Sequence, residues 1–241
     1  MEKKLKHKEV LNLIKRNEAQ DFLKILTEYA TKNTENLVIG AVIVLVIAVG
    51  IELFLNSRAA NEVKAEQILS KADYFLTRPV SDQKNAQMYG MFRTKDEKFE
   101  KGIAAYQEVI QTYRSTKALP YAYLGIADAY FNDGKYKESL EYYNTFLEKF
   151  QAHYLAPQAL SGRAYAYCEL GRYKDALDDL NTAMQKYKDS YLYNDIRLKA
   201  AECYMKLKNP ADAKQLYAQI IGDGKNSYWA SVAEVKLREI K

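Results

Sequence analysis

The chain of 241 residues carries 36 Lys and Arg against 31 Asp and Glu, a formal charge of +5, with 48% hydrophobic residues. This mixed balance argues against a nucleic-acid-coating protein, and two cysteines without a CxxC pair exclude a disulfide scaffold and disfavour a structural zinc site. Ten Gly and 4 Pro beside 21 Tyr point to a helical protein.

The first 36 residues hold eight basic side chains (Lys3, Lys4, Lys6, Lys8, Lys15, Arg16, Lys24 and Lys32). Asn17 followed by Gln20 reads as a capping box, after which Phe22, Leu23, Ile25, Leu26 and Tyr29 share one helical face. Such a basic amphipathic helix either lies on an anionic lipid surface or packs on a membrane partner.

Residues 37–55, LVIGAVIVLVIAVGIELFL, form a 19-residue apolar run broken only by Glu52. As a helix it reaches about 28 Å, close to the hydrocarbon thickness of a bilayer, so one span is predicted. A cleaved signal peptide fits less well, because 36 mostly polar residues precede the run and Ser57-Arg58-Ala59 is a poor cleavage site. Glu52 stands within a turn of the helix end and reaches the headgroups. Gly40 and Gly50 are ten residues apart and make no GxxxG pair. Within 20 residues of the span the basic count points the other way, with two before it (Lys24 and Lys32) and three after it (Arg58, Lys64 and Lys71). The KKLKHK cluster keeps the N-terminus in the cytoplasm, and the long C-terminal part can cross regardless of charge.

Beyond the span the chain repeats itself. The segment from Gly134 to Phe150 aligns with that from Gly171 to Tyr187 at an offset of 37, with identities at Gly134/Gly171, Tyr136/Tyr173, Leu140/Leu177 and Asn144/Asn181. The same step reaches forward to Asn209 and back to Glu97, marking four second helices of a two-helix unit. Pro120 and Pro157 open the preceding first helices. The small residues Ala127, Ala164 and Ala201 are each followed by an aromatic, at Tyr130, Tyr167 and Tyr204. This pattern of small residue, aromatic, turn glycine, tyrosine, small residue and aromatic resembles the tetratricopeptide repeat family. One unit fills it with Ala127, Tyr130, Gly134, Tyr136, Ser139 and Tyr143, and the next with Ala164, Tyr167, Gly171, Tyr173, Ala176 and Leu180. The third keeps Ala201, Tyr204, Ala213 and Tyr217 but turns through Lys208 and Pro210. The first unit begins with a helix at about 58–77, lined by Val63, Ala65, Ile68, Leu69, Ala72 and Phe75, followed by an insertion from Pro79 to Thr94 and a helix that Thr94 and Glu97 cap. Ser227 to Ile240 is a terminal helix that closes the stack. The expected fold is therefore all-α: a basic tail (1–36), a single transmembrane helix (37–55) and an α-solenoid of about four repeats with a capping helix (56–241).

The resemblance implies a peptide-binding groove along the first helices. Its residues would be Tyr121, Leu124, Asp128, Phe131 and Asn132, then Gln158, Ser161, Tyr165, Cys168 and Glu169, then Asp195, Leu198, Glu202, Met205 and Lys206. That set is aromatic, apolar and acidic. It lacks the Lys/Asn clamp that relatives use on chaperone C-termini, so a peptide with apolar anchors and some basic character suits it better. Cys168 and Cys203 read as buried small residues, with a disulfide the less favoured alternative because they hold different positions in their helices.

No catalytic constellation is evident, and no cofactor or metal is expected. His7 and His153 lie in the basic tail and an inter-repeat turn, without a nucleophile or ligand spacing around them. Gly222-Asp223-Gly224 is a turn rather than a phosphate loop, and Asp178-Asp179 is expected to be solvated. A basic tail, one span and a repeat domain together resemble the YfgM-type ancillary subunits of the bacterial Sec translocon. That resemblance implies an inner-membrane protein with periplasmic repeats, partnered by translocon subunits and periplasmic chaperones and not by nucleic acid. The APxAL and GxYxxAL phrases also look like adaptors of the Tol-Pal and outer-membrane-assembly systems.

Overall fold

A computed structural model of the chain describes residues 7–81, 88, 90–224 and 227–240. Its described residues are helical apart from turns and one isolated bridge between Val80 and Phe92. The chain divides into two compact units, Met1–Ala59 and Ala60–Lys241.

In the first unit, α1 spans His7–Lys32. Asn17 therefore lies well inside a helix and not at its start, contrary to the capping-box expectation. The preceding Lys8-Glu9-Val10-Leu11 stretch is made of residues that propagate a helix, and a capping side chain marks a start only where its predecessors do not. Phe22, Leu23, Ile25 and Leu26 are all exposed. Helix α2 spans Thr34–Thr77, and its first helical bond runs from the Leu37 N–H to the Asn33 carbonyl at 2.9 Å. Its N-terminal part bears the apolar run, long and apolar enough to cross a bilayer and with none of that window buried.

In the second unit, residues 60–77 of α2 pack with α3 (Lys95–Thr112). Three further pairs follow: α4 (Leu119–Asn132) with α5 (Tyr136–Phe150), α6 (Ala156–Glu169) with α7 (Tyr173–Lys186), and α8 (Tyr193–Lys206) with α9 (Pro210–Asp223). Helix α10 (Tyr228–Glu239) packs on α9 and closes the stack, its N-terminus capped by Ser227, whose Oγ accepts the Ala230 N–H at 3.1 Å. Thr94 caps α3 as its sequence predicts, accepting the Glu97 N–H at 3.1 Å. The Glu97 carboxylate reaches back to the Arg93 N–H at 3.4 Å, one residue before the cap. The ends of the insertion are tied where Ser81 N–H meets the Phe92 carbonyl at 2.9 Å; residues 82–87 and 89 lie outside the described residues.

Each pair closes on small side chains. Ala72, Ala127, Ala164 and Ala201 on the first helices are fully buried, as are Ser139, Ala176 and Ala213 on the second. At Gly102 an added Cβ would stand 2.5 Å from Leu76 Cγ, and the Ser139 hydroxyl donates to the Ala127 carbonyl at 2.8 Å, so its burial leaves no polar group unpaired. Phe146, Leu180 and Ile220 fill the remaining space. Val63, expected to line the first helix of the stack, is instead 54% exposed.

The first helices of the last three pairs end alike. The N–H of Lys135, Arg172 and Asn209 bonds back to the carbonyl of Tyr130, Tyr167 and Tyr204 at 2.8–2.9 Å. This C-cap needs a left-handed residue, supplied by Gly134 (φ 79°), Gly171 (φ 73°) and Lys208 (φ 59°). Asn209 and Pro210 then start α9, the Asn209 side chain accepting the Asp212 N–H.

Candidate peptide-binding groove

Three of the predicted sets converge. Asp128, Phe131 and Asn132 from α4, Gln158, Ser161 and Tyr165 from α6, and Asp195 from α8 line one cavity of about 280 Å³, together with Tyr143, Gly162 and Leu192. Glu169, Glu202 and Lys206 line a second of about 330 Å³ with Cys168, Tyr173, Lys199 and Cys203. Glu202, Met205 and Lys206 continue into a third of about 450 Å³, beside Tyr217 and Lys236.

Not every predicted residue faces a cavity. Leu124 and Leu198 are buried in the packing clusters around Tyr143 and Tyr217, because an apolar side chain at the edge of a first helix gains more by turning into the core than by lining an open groove. Ser161 is also buried, reaching the cavity by an edge. Tyr121 sits apart, hydrogen-bonded to Tyr154 and edge-on to His153 in the turn after α5. His153 accepts the Leu155 N–H through Nδ1, and burial lowers its pKa.

The floor of the first cavity is an arrangement that reading single positions does not reveal. The Tyr143 hydroxyl donates to Asp128 Oδ1 at 2.5 Å, and Gln158 Nε2 donates to Oδ2 at 3.4 Å. The hydroxyl end of the Tyr143 ring packs on Gly162, where a Cβ would stand 2.5 Å from Cζ. The preceding repeat copies this: Tyr106 bonds Asp73 and covers Gly125. In the following repeat all three members change together. Leu180 takes the tyrosine slot, Lys199 the glycine slot and Tyr165 the aspartate slot. The Tyr165 hydroxyl donates across to Asp195 at 2.9 and 3.1 Å, with Lys199 Nζ 4.3 Å from its ring centroid. This joint change at the 37-residue offset was the signal available in the sequence.

Burial raises the Asp128 carboxyl to about 6, while the two donors work in the opposite direction. Burial and the neighbouring carboxylates also push the Tyr143 and Tyr165 phenols well above their usual range, so both remain donors at neutral pH. Tyr217, in the third cavity, is raised by burial to about 12. The surface is thus a row of fixed phenols and carboxylates, with Lys199 and Lys206 at its α8 end.

Elsewhere, Asp179 corrects an expectation. It is buried rather than solvated, held by the Arg163 fork at 2.5 and 2.7 Å, while Arg163 Nη1 also donates to Asn144. Exposure of Asp179 was the simpler reading because Asp178, its neighbour, does face solvent. Among the described residues no group of three His, Cys, Asp or Glu stands together in a way that could hold a metal ion.

Tetratricopeptide repeat family models match residues 95–150, 124–190 and 167–234. No curated protein matches this sequence. Among solved structures the chain is similar to a tetratricopeptide repeat protein from Parabacteroides merdae, with 18% identity over 72% of this chain and 59% of that one and a TM-score of 0.55. It is also similar to kinesin-light-chain repeats from Podosopora anserina, with 16% identity over 72% and 83% of the two chains and a TM-score of 0.55. At these identities the likeness concerns the fold.

Proposed function

This chain belongs to the tetratricopeptide repeat family, and from that premise we propose that it is a membrane-tethered, non-catalytic scaffold that captures an extended peptide in the groove along α4, α6 and α8. The observation that carries this reading is the first cavity. Two carboxylates from different repeats, Asp128 and Asp195, line it beside Phe131 and the amides of Asn132 and Gln158. Carboxylates held by phenol donors offer fixed acceptors to Lys or Arg, ring faces take apolar side chains, and amides pair with the backbone of an extended chain. The preferred ligand is therefore an unfolded segment in which basic and apolar residues alternate. The first helices are fixed by side chains buried in the cores of the repeats, so little ordering of the groove opposes binding.

The anchor is residues 37–55, with the basic tail in the cytoplasm and the repeats on the far side of the membrane. A groove tethered there suits an assistant to the Sec translocon, in the manner of the YfgM-type subunits, handing emerging chains to periplasmic chaperones. Newly exported chains supply the unfolded apolar and basic segments that the groove chemistry favours.

The test is anisotropy titration of the full chain in mild detergent with a fluorescent peptide of alternating Lys and Leu, broken by Pro to keep it extended. Asp195→Lys and Glu202→Lys should each weaken binding roughly tenfold and flatten its salt dependence. Unchanged affinity in both variants, or equal affinity for a Glu-containing counterpart, discards the groove assignment. Proteins co-purifying in the same detergent test the wider role. Translocon subunits and chaperones are expected, whereas outer-membrane-assembly or division proteins would move the protein to the envelope adaptors.

A further inference from the structure

The two cysteines of the chain meet. Cys168 in α6 and Cys203 in α8 lie 35 positions apart, and their sulfurs are 3.2 Å from each other, both as free thiols. Cys203 is buried at 1% exposure, whereas Cys168 is half-buried and opens onto the cavity of about 330 Å³ that Glu169, Lys199, Glu202 and Lys206 also line. The different positions of the two residues in their helices do not keep them apart. Their meeting depends on how neighbouring first helices are offset, which sequence spacing does not carry.

We propose that Cys168 and Cys203 form a thiol pair that is oxidised by thiol–disulfide exchange to an intrachain disulfide, stapling the first helices of the third and fourth repeats. The inference rests on the placement of α6 and α8 alone and is independent of what the groove binds. The oxidant is a disulfide donor, RSSR, of the small-molecule or protein class. Cys168 is the attacking group because a donor can reach it through the cavity. The Cys203 thiol donates to its sulfur and Lys199 stands nearby, and both lower the Cys168 pKa. The Cys168 thiolate attacks one donor sulfur, forming Cys168–S–S–R and releasing RS⁻. Cys203 then loses its proton to the released thiolate and attacks the Cys168 sulfur, expelling the second RS⁻. Two protein thiols become one disulfide and the donor becomes two thiols, so atoms and electrons balance.

The consequence falls on the groove. Helix α6 presents Tyr165 and Glu169, and α8 presents Asp195 and Glu202. A covalent link between them fixes the spacing of these groups and ties together two repeats that otherwise hold by packing and the Tyr165–Asp195 hydrogen bonds.

The full chain in mild detergent is incubated with oxidised glutathione, quenched with acid, alkylated and weighed. The expected result is loss of both alkylation sites together with the mass of two hydrogens, a single proteolytic fragment joining Cys168 to Cys203, and recovery of both thiols on reduction. Cys203→Ser should accumulate glutathione on Cys168, and this adduct should form roughly tenfold faster than any adduct on Cys203 in Cys168→Ser. Two alkylatable thiols surviving excess oxidised glutathione, a persistent glutathione adduct on the unaltered chain, or links only between chains would each overturn the proposal. The mapping on the unaltered chain decides alone if either variant loses its helical circular dichroism.

Discussion

Replacing Asp128 with Asn probes the floor of the groove. In the folded chain burial lifts this carboxyl from 3.8 to about 6, so the folded state holds the proton more tightly than the unfolded state does. Between those two values the folded protein carries more protons, and stability from this group rises as pH falls; above about 6 the charged form is carried at full penalty. Moving the carboxyl from 3.8 to about 6 corresponds to about 3 kcal/mol at neutral pH. Asparagine is neutral throughout, keeps an oxygen to accept from Tyr143, and turns its NH₂ toward Gln158, whose amide can rotate to accept. Asp128→Asn should therefore be more stable than the parent at pH 7.5, by up to about 3 kcal/mol, with the advantage fading toward pH 4.5. Urea unfolding of both chains, followed by helical circular dichroism at the two pH values, reads this difference and cancels every other titrating group. A difference independent of pH, or a variant less stable at pH 7.5, would refute the reasoning. The same titration implies that capture of a Lys-containing peptide weakens as pH falls below about 6, where Asp128 loses its charge.

Lys208 holds the left-handed turn that Gly134 and Gly171 hold in the other repeats, so Lys208→Gly should stabilise the chain by about 0.5–1 kcal/mol, whereas Gly171→Ala should destabilise it by about 1–2 kcal/mol in thermal melts. Gly162→Ala drives a methyl into the Tyr143 ring that Asp128 anchors, and should lose about 1–3 kcal/mol. Adding Tyr143→Leu should recover part of that loss, as the Leu180 and Lys199 pair does naturally in the next repeat. Ser231→Cys in a chain with Cys168 and Cys203 replaced by Ser should react with an impermeant maleimide from the extracytoplasmic side of intact cells; reaction only after the cytoplasm is opened would reverse the orientation.

The repeat was legible because close packing of paired helices demands a small residue at fixed slots, and Ala127, Ala164 and Ala201 announce those slots at a constant interval. Local chemistry was legible too: Thr94 caps α3 where its spacing to Glu97 predicts, and the terminal helix begins after Ser227 where the sequence places its start. Contacts made across repeats were harder. Tyr143 reads alone as a core aromatic, and only its pairing with Gly162 of the next repeat and Asp128 of its own shows that it carries the floor of the cavity. Leu124 and Leu198 were placed in the groove by position, yet one side of a first helix grades from groove into core, and hydrophobicity decides which way a side chain turns. Asp179 looked solvated beside Asp178 because its partner, Arg163, comes from a different helix. Asn17 looked like a start because capping preference is local, whereas the extent of α1 is set by the helix formers on both sides of it.

The groove itself is tested most directly by a photo-crosslinking amino acid placed at Phe131, with Lys174 on the exposed side of α7 as the comparison position, in the full chain within native membranes. The account predicts adducts with chains in transit or their handlers from position 131, abolished by Asp195→Lys, and none from position 174. Adducts of equal yield from both positions, or from position 174 alone, would contradict it.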